Sequence, residues 1–266
     1  MMDSSKATVI AVANHKGGCG KTTTCINLAD NLAQMGKTVL VIDMDPQANS
    51  SLHIGMNHPA EIRYTAAEML LNLELPLQAF IHTDTRVEGV ALIYGSMGLE
   101  TIGDTLKNSH PRPNEVLRAR LEPLLEHVDY IIIDCPPSLQ ILTMNALAAS
   151  THYLVPLESG APYGAYGLSD LNKRVGQIKL INPTLEFLGA LLIWHDDRLS
   201  LCRQNEEDAA KMFGKVIPIK IGTSSKINQS AAVKVPLRLI DKNNHIAKQY
   251  KELAEHIDSV VTKEYA

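Results

Sequence analysis

Cysteine is scarce in this chain. Four occur in 266 residues: Cys19, Cys25, Cys135 and Cys202. No two form a CxxC pair, and their spacing suits neither a disulfide framework nor a zinc site. Free thiols fit a reducing cytoplasm. The ten histidines show no metal-ligand spacing either. Long apolar runs are missing. Nothing approaches the roughly 18–20 residues of a membrane-spanning helix, and residues 1–7 lack the apolar centre of a signal peptide. The expected location is therefore cytoplasmic, with no membrane partner. Net positive charge is absent as well. Lys and Arg number 25 against 29 Asp and Glu, for a net charge of -4, so there is no global signature for nucleic acid. Repeats, low-complexity tracts and long linkers are also lacking, and residues 1–266 read as one domain.

What is present is the balance of an ordinary globular protein. The chain is 45% hydrophobic and 20% charged, and long enough to bury a core without disulfide or metal staples. Short apolar runs alternate with helical patterns. Strands are expected at residues 8–13, 38–42, 90–94, 130–133, 153–157, 187–193 and 216–221. Helices are expected at 22–35, 113–127, 138–149, 166–180, 201–213 and 245–261, with a short one capped by Thr65 and running through Leu71. The polar segments 51–65 and 103–113 read as surface loops. Continuous β-branched strands separated by helices imply a mostly parallel sheet covered on both faces. That is a doubly wound α/β fold.

The strongest signal is His15-Lys16-Gly17-Gly18-Cys19-Gly20-Lys21-Thr22-Thr23, placed between a buried strand and an amphipathic helix. Polyphosphate packs several negative charges into a small volume. Glycines let backbone N–H groups approach it and point inward. The helix that follows adds the positive end of its dipole. Lys21 is expected at the β- and γ-phosphates, the Thr22 hydroxyl on Mg²⁺, and Thr23 at the α-phosphate. The usual pattern, G-x-x-x-x-G-K-S/T, has glycine where this chain has His15. In its place stands a second lysine, Lys16, before a glycine pair. A glycine turn with surface lysines is the plain alternative. Cys19 sits near a helix N-terminus and Lys21, conditions that lower a thiol pKa. Its oxidation would then block nucleotide binding. The alternative is a small residue filling a variable position.

The loop KGGCGKTT resembles the deviant Walker A motif of the ParA/Soj partition ATPases, relatives of the cell-division regulator MinD and the nitrogenase iron protein. Two further segments match in order. Residues 43–49, Asp43-Met44-Asp45-Pro46-Gln47-Ala48-Asn49, look like the family's D-x-D-P-Q-x-N switch segment, and Asp134-Cys135-Pro136-Pro137 looks like its Walker B segment. The resemblance implies ATP and Mg²⁺ as ligands. It implies that Asp134 and Asp43 support the metal with Thr22, and that Asp45 orients the attacking water. Gly17, Gly18, Cys19 and Gly20 would line the phosphates beside Lys21, Thr22 and Thr23. By the same resemblance Lys16 crosses to the nucleotide of a second subunit, so that ATP closes a homodimer and Lys16, Lys21 and Asp45 carry hydrolysis. Pro218 would contact the adenine.

The branch within the family is read from the remaining sequence. Cys135 alone does not supply the cysteines of a cluster-binding ATPase, and the end Val261-Thr262-Lys263-Glu264-Tyr265-Ala266 is not a basic amphipathic membrane helix. Residues 211–251 carry nine Lys and Arg against the single acid Asp241. Such a face can bind the DNA backbone without reading sequence. Arg198, Arg203, Lys220, Lys226, Lys234 and Arg238 are the candidates, against the alternative of a solvated charged surface. The family often has I-P-R-N-V-R where this chain has Ile217-Pro218-Ile219-Lys220-Ile221-Gly222, so one expected arginine is missing. The first strand is expected near Thr8, so no helix-turn-helix domain is expected ahead of it. The resemblance implies a nucleoid-associated ATPase that segregates plasmid or chromosomal DNA with a ParB-like centromere-binding protein. The alternatives are an ATPase that positions a protein complex or organelle, and a small-molecule enzyme using the same loop.

Overall fold

A computed structural model describes residues 6–160 and 168–264. Six strands form one sheet: β1 (Thr8–Val12), β2 (Val39–Asp43), β3 (Val90–Ile93), β4 (Tyr130–Asp134), β5 (His152–Glu158) and β6 (Glu186–Ile193). Their order is β3-β2-β4-β1-β5-β6 and every pairing is parallel. The expected doubly wound α/β fold is what the chain adopts.

Side chains alternate across a strand with a period of two, and here both sets are apolar. Ile10, Val12, Val39, Val41 and Ile132 face one way, into a core shared with α1 (Lys21–Gln34) and α11 (His245–Glu264). Val9, Ala11, Leu40, Ile42, Ile131 and Ile133 face the other, against α3 (Ala66–Leu71), α6 (Ile141–Ala149) and α7 (Leu168–Ile178). α11 contributes Ile246, Tyr250, Leu253, Ile257 and Val261, spaced three or four apart along one stripe.

Several sequence expectations are corrected. Segment 103–113 is mostly helix, α4 (Ile102–Ser109), held by only two buried apolar residues, Ile102 and Leu106. Too few apolar positions remained to show a period. Segment 51–65 is not all loop, because α2 (Asn49–Ile54) covers its start and a 3₁₀ turn runs Pro59–Glu61. The helix expected at 113–127 shrinks to α5 (Val116–Leu121) and then tightens to a 3₁₀ turn at Glu122–Leu124, where Pro123 has no N–H to donate. The strand expected at 216–221 makes only two bridges to β6, Ala190↔Val216 and Ile193↔Ile221. Pro218 between them has no N–H to donate to a ladder. α8 (Ser200–Phe213) lies as expected, and two short helices the sequence did not announce follow it, α9 (Ser225–Val233) and α10 (Leu237–Ile240). Of the helix expected at 166–180, residues 166–167 lie outside the described residues.

Candidate functional site

The carboxyl edge of a parallel sheet is where such folds place ligands. Three neighbouring strands end there in register: Val12 pairs with Asp134, and Asp134 pairs with Asp43. The glycine loop leaves β1 at the same edge. Gly18 and Gly20 take φ +70 and +74, a region that favours glycine. A Cβ on Gly20 would lie 2.5 Å from Cδ1 of Ile193, whereas Cβ atoms on Gly17 and Gly18 would meet nothing within 4 Å. The loop is thus packed on one side and open on the other. α1 then starts at Lys21 with no side-chain cap on its first N–H groups. Those donors are free to face an anion.

The two lysines of the loop are held differently. Lys21 is buried, and its ammonium donates to the Lys16 carbonyl at 2.9 Å. Lys16 is about one-third exposed and pairs with Glu158, at the end of β5, at 2.6 Å. Asn14 braces the turn by accepting the Lys16 N–H at 3.1 Å and donating to the Pro156 carbonyl at 2.7 Å. The Cys19 thiol bonds the Lys16 carbonyl at 3.1 Å. Its pKa is raised, not lowered as the sequence suggested. Burial outweighs the nearby Lys21 charge, so the thiolate needed for ready oxidation is disfavoured.

Behind the loop lies an acidic centre. Asp134 is fully buried. Its Oδ2 accepts from Thr22 Oγ1 at 2.7 Å and from Ser50 Oγ at 2.8 Å, while its Oδ1 is buried with no hydrogen-bond partner. Asp43, also fully buried, accepts from the Ser51 N–H at 2.8 Å, the Ser51 hydroxyl at 2.7 Å and the Asp45 N–H at 3.2 Å. Burial pushes both carboxyls upward, and for Asp43 the charge of Asp134 adds to it. Two buried carboxylates, a hydroxyl and an orphaned oxygen are what a hard divalent cation with its waters would satisfy. Thr22, Asp134 and Asp43 therefore fit a magnesium site. Asp45 is nearly buried and accepts the Gln47 N–H at 3.0 Å. Sequence reading missed Ser50, Ser51 and Glu158. The serines lie just after the Asp43–Asn49 segment, with Ser51 opening what looked like a loop, and Glu158 was a lone acid ending an apolar strand.

A family profile described as an AAA domain matches residues 7–187. The chromosome partitioning protein ParA of Myxococcus xanthus is 35% identical over 251 residues, which is 94% of this chain and 87% of that protein. The sporulation initiation inhibitor protein Soj of Bacillus subtilis is 35% identical over 251 residues, 94% of this chain and 97% of that one. The chain belongs to the ParA/Soj family of partition ATPases. Among solved structures, cobyrinic acid a,c-diamide synthase from Mycobacterium smegmatis with bound ATP analog and magnesium superimposes with a TM-score of 0.81. The two are 28% identical, over 94% of this chain and 93% of that one.

The basic residues of this ParA/Soj-family chain differ in how their charges are held. Arg198 is well exposed and pairs with Asp196 at 2.7 Å. Arg203 donates to the Asp197 carbonyl at 2.7 Å, and Lys226 to Gln229 Oε1 at 3.0 Å. Lys234 is exposed and ends α9 with φ +61. Lys220 sits between Asp197 and Glu206, at 3.1 and 2.7 Å. His195, Asp197 and Glu206 have metal-like spacing, but the Lys220 ammonium occupies the place a cation would need. Arg238 grips both oxygens of the fully buried Asp30, at 2.9 and 3.0 Å. Arg238 and Lys220 thus have their charges engaged inside the chain. Pro218 is exposed. Among the described residues no helix is long and apolar enough to cross a membrane.

Proposed function

We propose that this chain is an ATP-driven switch for DNA partition, active as a homodimer. ATP and Mg²⁺ occupy the loop and the acidic centre. The loop N–H groups from Gly17 to Gly20 surround the phosphates, Lys21 leaves the Lys16 carbonyl for the β- and γ-phosphates, and Thr23 takes the α-phosphate. Magnesium, held by Thr22, Asp134 and Asp43, supplies charge neutralisation along the polyphosphate. Asp45 accepts a hydrogen bond from the attacking water and so orients it. Lys16 gives up Glu158 and reaches the nucleotide of the second subunit, a positive charge brought to the transition state from outside. Pro218 lies against the base.

The observation that carries this reading is the pairing of Lys16 with Glu158 rather than with its own loop's phosphate cradle. A lysine whose charge is held by the end of β5, about one-third exposed, supports a role for it outside its own loop. The dimer would bind nonspecific duplex DNA through Arg198, Arg203, Lys226 and Lys234. Lys220 and Arg238, neutralised by Asp197 and Glu206 and by Asp30, would add little to that surface. A ParB-like centromere-binding protein would trigger hydrolysis and release, in the cytoplasm at the nucleoid. A second reading, a small-molecule enzyme that activates its substrate with ATP, is favoured by the likeness to the diamide synthase.

The test is binding to random-sequence duplex DNA with no nucleotide, ADP or ATP·Mg²⁺, across a salt series. Binding only with ATP·Mg²⁺, falling steeply with salt, is the expected result. No binding in any state, with ATP-driven dimerisation intact, would reject the DNA reading and favour the second one.

A further inference from the structure

α2 is only six residues long, yet three of its side chains reach three separate parts of the chain. Ser50 bonds Asp134, and Ser51 bonds Asp43. His53 Nε2 lies 2.9 Å from the carbonyl of Val235, 182 residues away in sequence. A carbonyl only accepts, so Nε2 carries the hydrogen. Burial pushes the His53 pKa down, against the Val235 hydrogen bond and with the help of the Arg86 charge, and so favours the neutral imidazole.

The far end of that bond is a constrained point. The Val235 carbonyl also accepts from Ser230 Oγ at 2.6 Å. Lys234 beside it is a non-glycine residue at φ +61, a conformation L side chains rarely adopt. The segment is tied a second time to α1: the Leu237 N–H donates to Asn27 Oδ1 at 3.0 Å, and Arg238 grips Asp30. The α1 tie rests on a fourteen-residue helix packed in the core. The α2 tie rests on a short helix entered through Ala48 at φ +51. Of the two, α2 is the part that a change at the carboxylates can move.

We infer that His53 is a positioning residue that couples the acidic centre to the basic segment 230–238. When the surroundings of Asp43 and Asp134 change, Ser50 and Ser51 reorient α2, and His53 carries that motion to Val235 and the adjoining Lys234. The inference rests on the nucleotide reading above and adds the route by which the site reaches the basic face. A hydrogen bond suits this role because it is directional and lost over a short displacement.

The test is hydrogen–deuterium exchange of the full chain with and without ATP·Mg²⁺. In the wild type, protection is expected to change both at residues 45–55 and at residues 230–240. In His53→Ala the change persists at 45–55 and is lost at 230–240. His53→Gln, whose amide nitrogen can donate in place of Nε2, restores it. Equal protection of β1 and α1 in all three proteins confirms that the variants are folded. A 230–240 response in His53→Ala equal to that of the wild type would overturn the inference. So would a wild type that responds only at 45–55. No response at either segment with the loop at residues 15–24 protected would overturn the inference alone, and no response at the loop either would mean that ATP·Mg²⁺ does not bind and would remove the nucleotide reading along with this one. In duplex-DNA binding, the affinity gained on adding ATP·Mg²⁺ should fall about fivefold or more in His53→Ala, and an undiminished gain would also overturn the coupling.

Discussion

Asp45 and Lys21 are neighbours in the site with opposite expected phenotypes. Lys21 is buried against the loop and its charge has no substitute there. Lys21→Ala should weaken ATP binding at least tenfold, measured by calorimetry or fluorescent-nucleotide titration. Asp45→Ala should leave binding within a few-fold and lower turnover at least a hundredfold, the scale of a lost general base. Normal turnover in that variant would show that another group orients the water. Asp43 allows a pH prediction. Its folded pKa is raised by burial and by Asp134. The nucleotide-free protein therefore holds its proton more tightly when folded than when unfolded. This contribution to stability is full below the ordinary carboxylate range of about 4 and is lost as pH rises through the folded pKa. Asp43→Asn should accordingly raise the melting temperature of the metal-free protein at pH 8, with the gain shrinking as pH falls toward 4. Equal gains at both pH values would show that folding does not raise the Asp43 pKa.

At the scale of elements, the ion pair between α10 and α1 is a structural tie. Asp30 is fully buried and Arg238 supplies both of its charge-assisted bonds. Arg238→Ala would leave a buried carboxylate without its partner, a loss of about 3 kcal/mol, the low end for a buried pair because Arg238 is partly exposed. Urea unfolding should show it as a lower midpoint. The same variant is expected to lose DNA affinity through that instability, and a variant of unchanged stability with weaker DNA binding would instead make Arg238 a direct contact. The elements also mark where sequence reading succeeded. β1, β2 and β4 were legible because runs such as Tyr130–Ile133 are apolar on both faces, and only a sheet covered on both sides accepts that. α2, α9 and α10 were not, because six, nine and four residues are too few for a helical period to stand out. Hydrogen bonds to distant residues hold α2 and α10 in place, and those partners are unknown until the chain is folded.

At the scale of the whole molecule, the pair Lys16–Glu158 ties the loop after β1 to the end of β5 within one subunit. If Lys16 serves a second subunit, closing the dimer must break this pair. Glu158→Gln should then favour ATP-dependent dimerisation, and Lys16→Ala should abolish it while sparing ATP binding to the monomer. Sedimentation with ATP·Mg²⁺ reads both outcomes. A Lys16→Ala protein that still dimerises would remove the trans role.

The sequence alone determined the alternating α/β order, the phosphate loop with its glycines and lysines, and the strand-end carboxylates Asp43 and Asp134. Each is a local pattern: an apolar run, a turn that needs glycine, or a polar residue where a strand stops. The tertiary structure decided which of them meet. Strand order brought β2 and β4 together, which set Asp43 beside Asp134 and left Asp134 Oδ1 unpartnered. Folding also buried Cys19 and so raised its thiol pKa, matched Arg238 to Asp30, and joined His53 to Val235. Burial and pairing between residues far apart in sequence set the energies of these groups, and neither is encoded within any one segment.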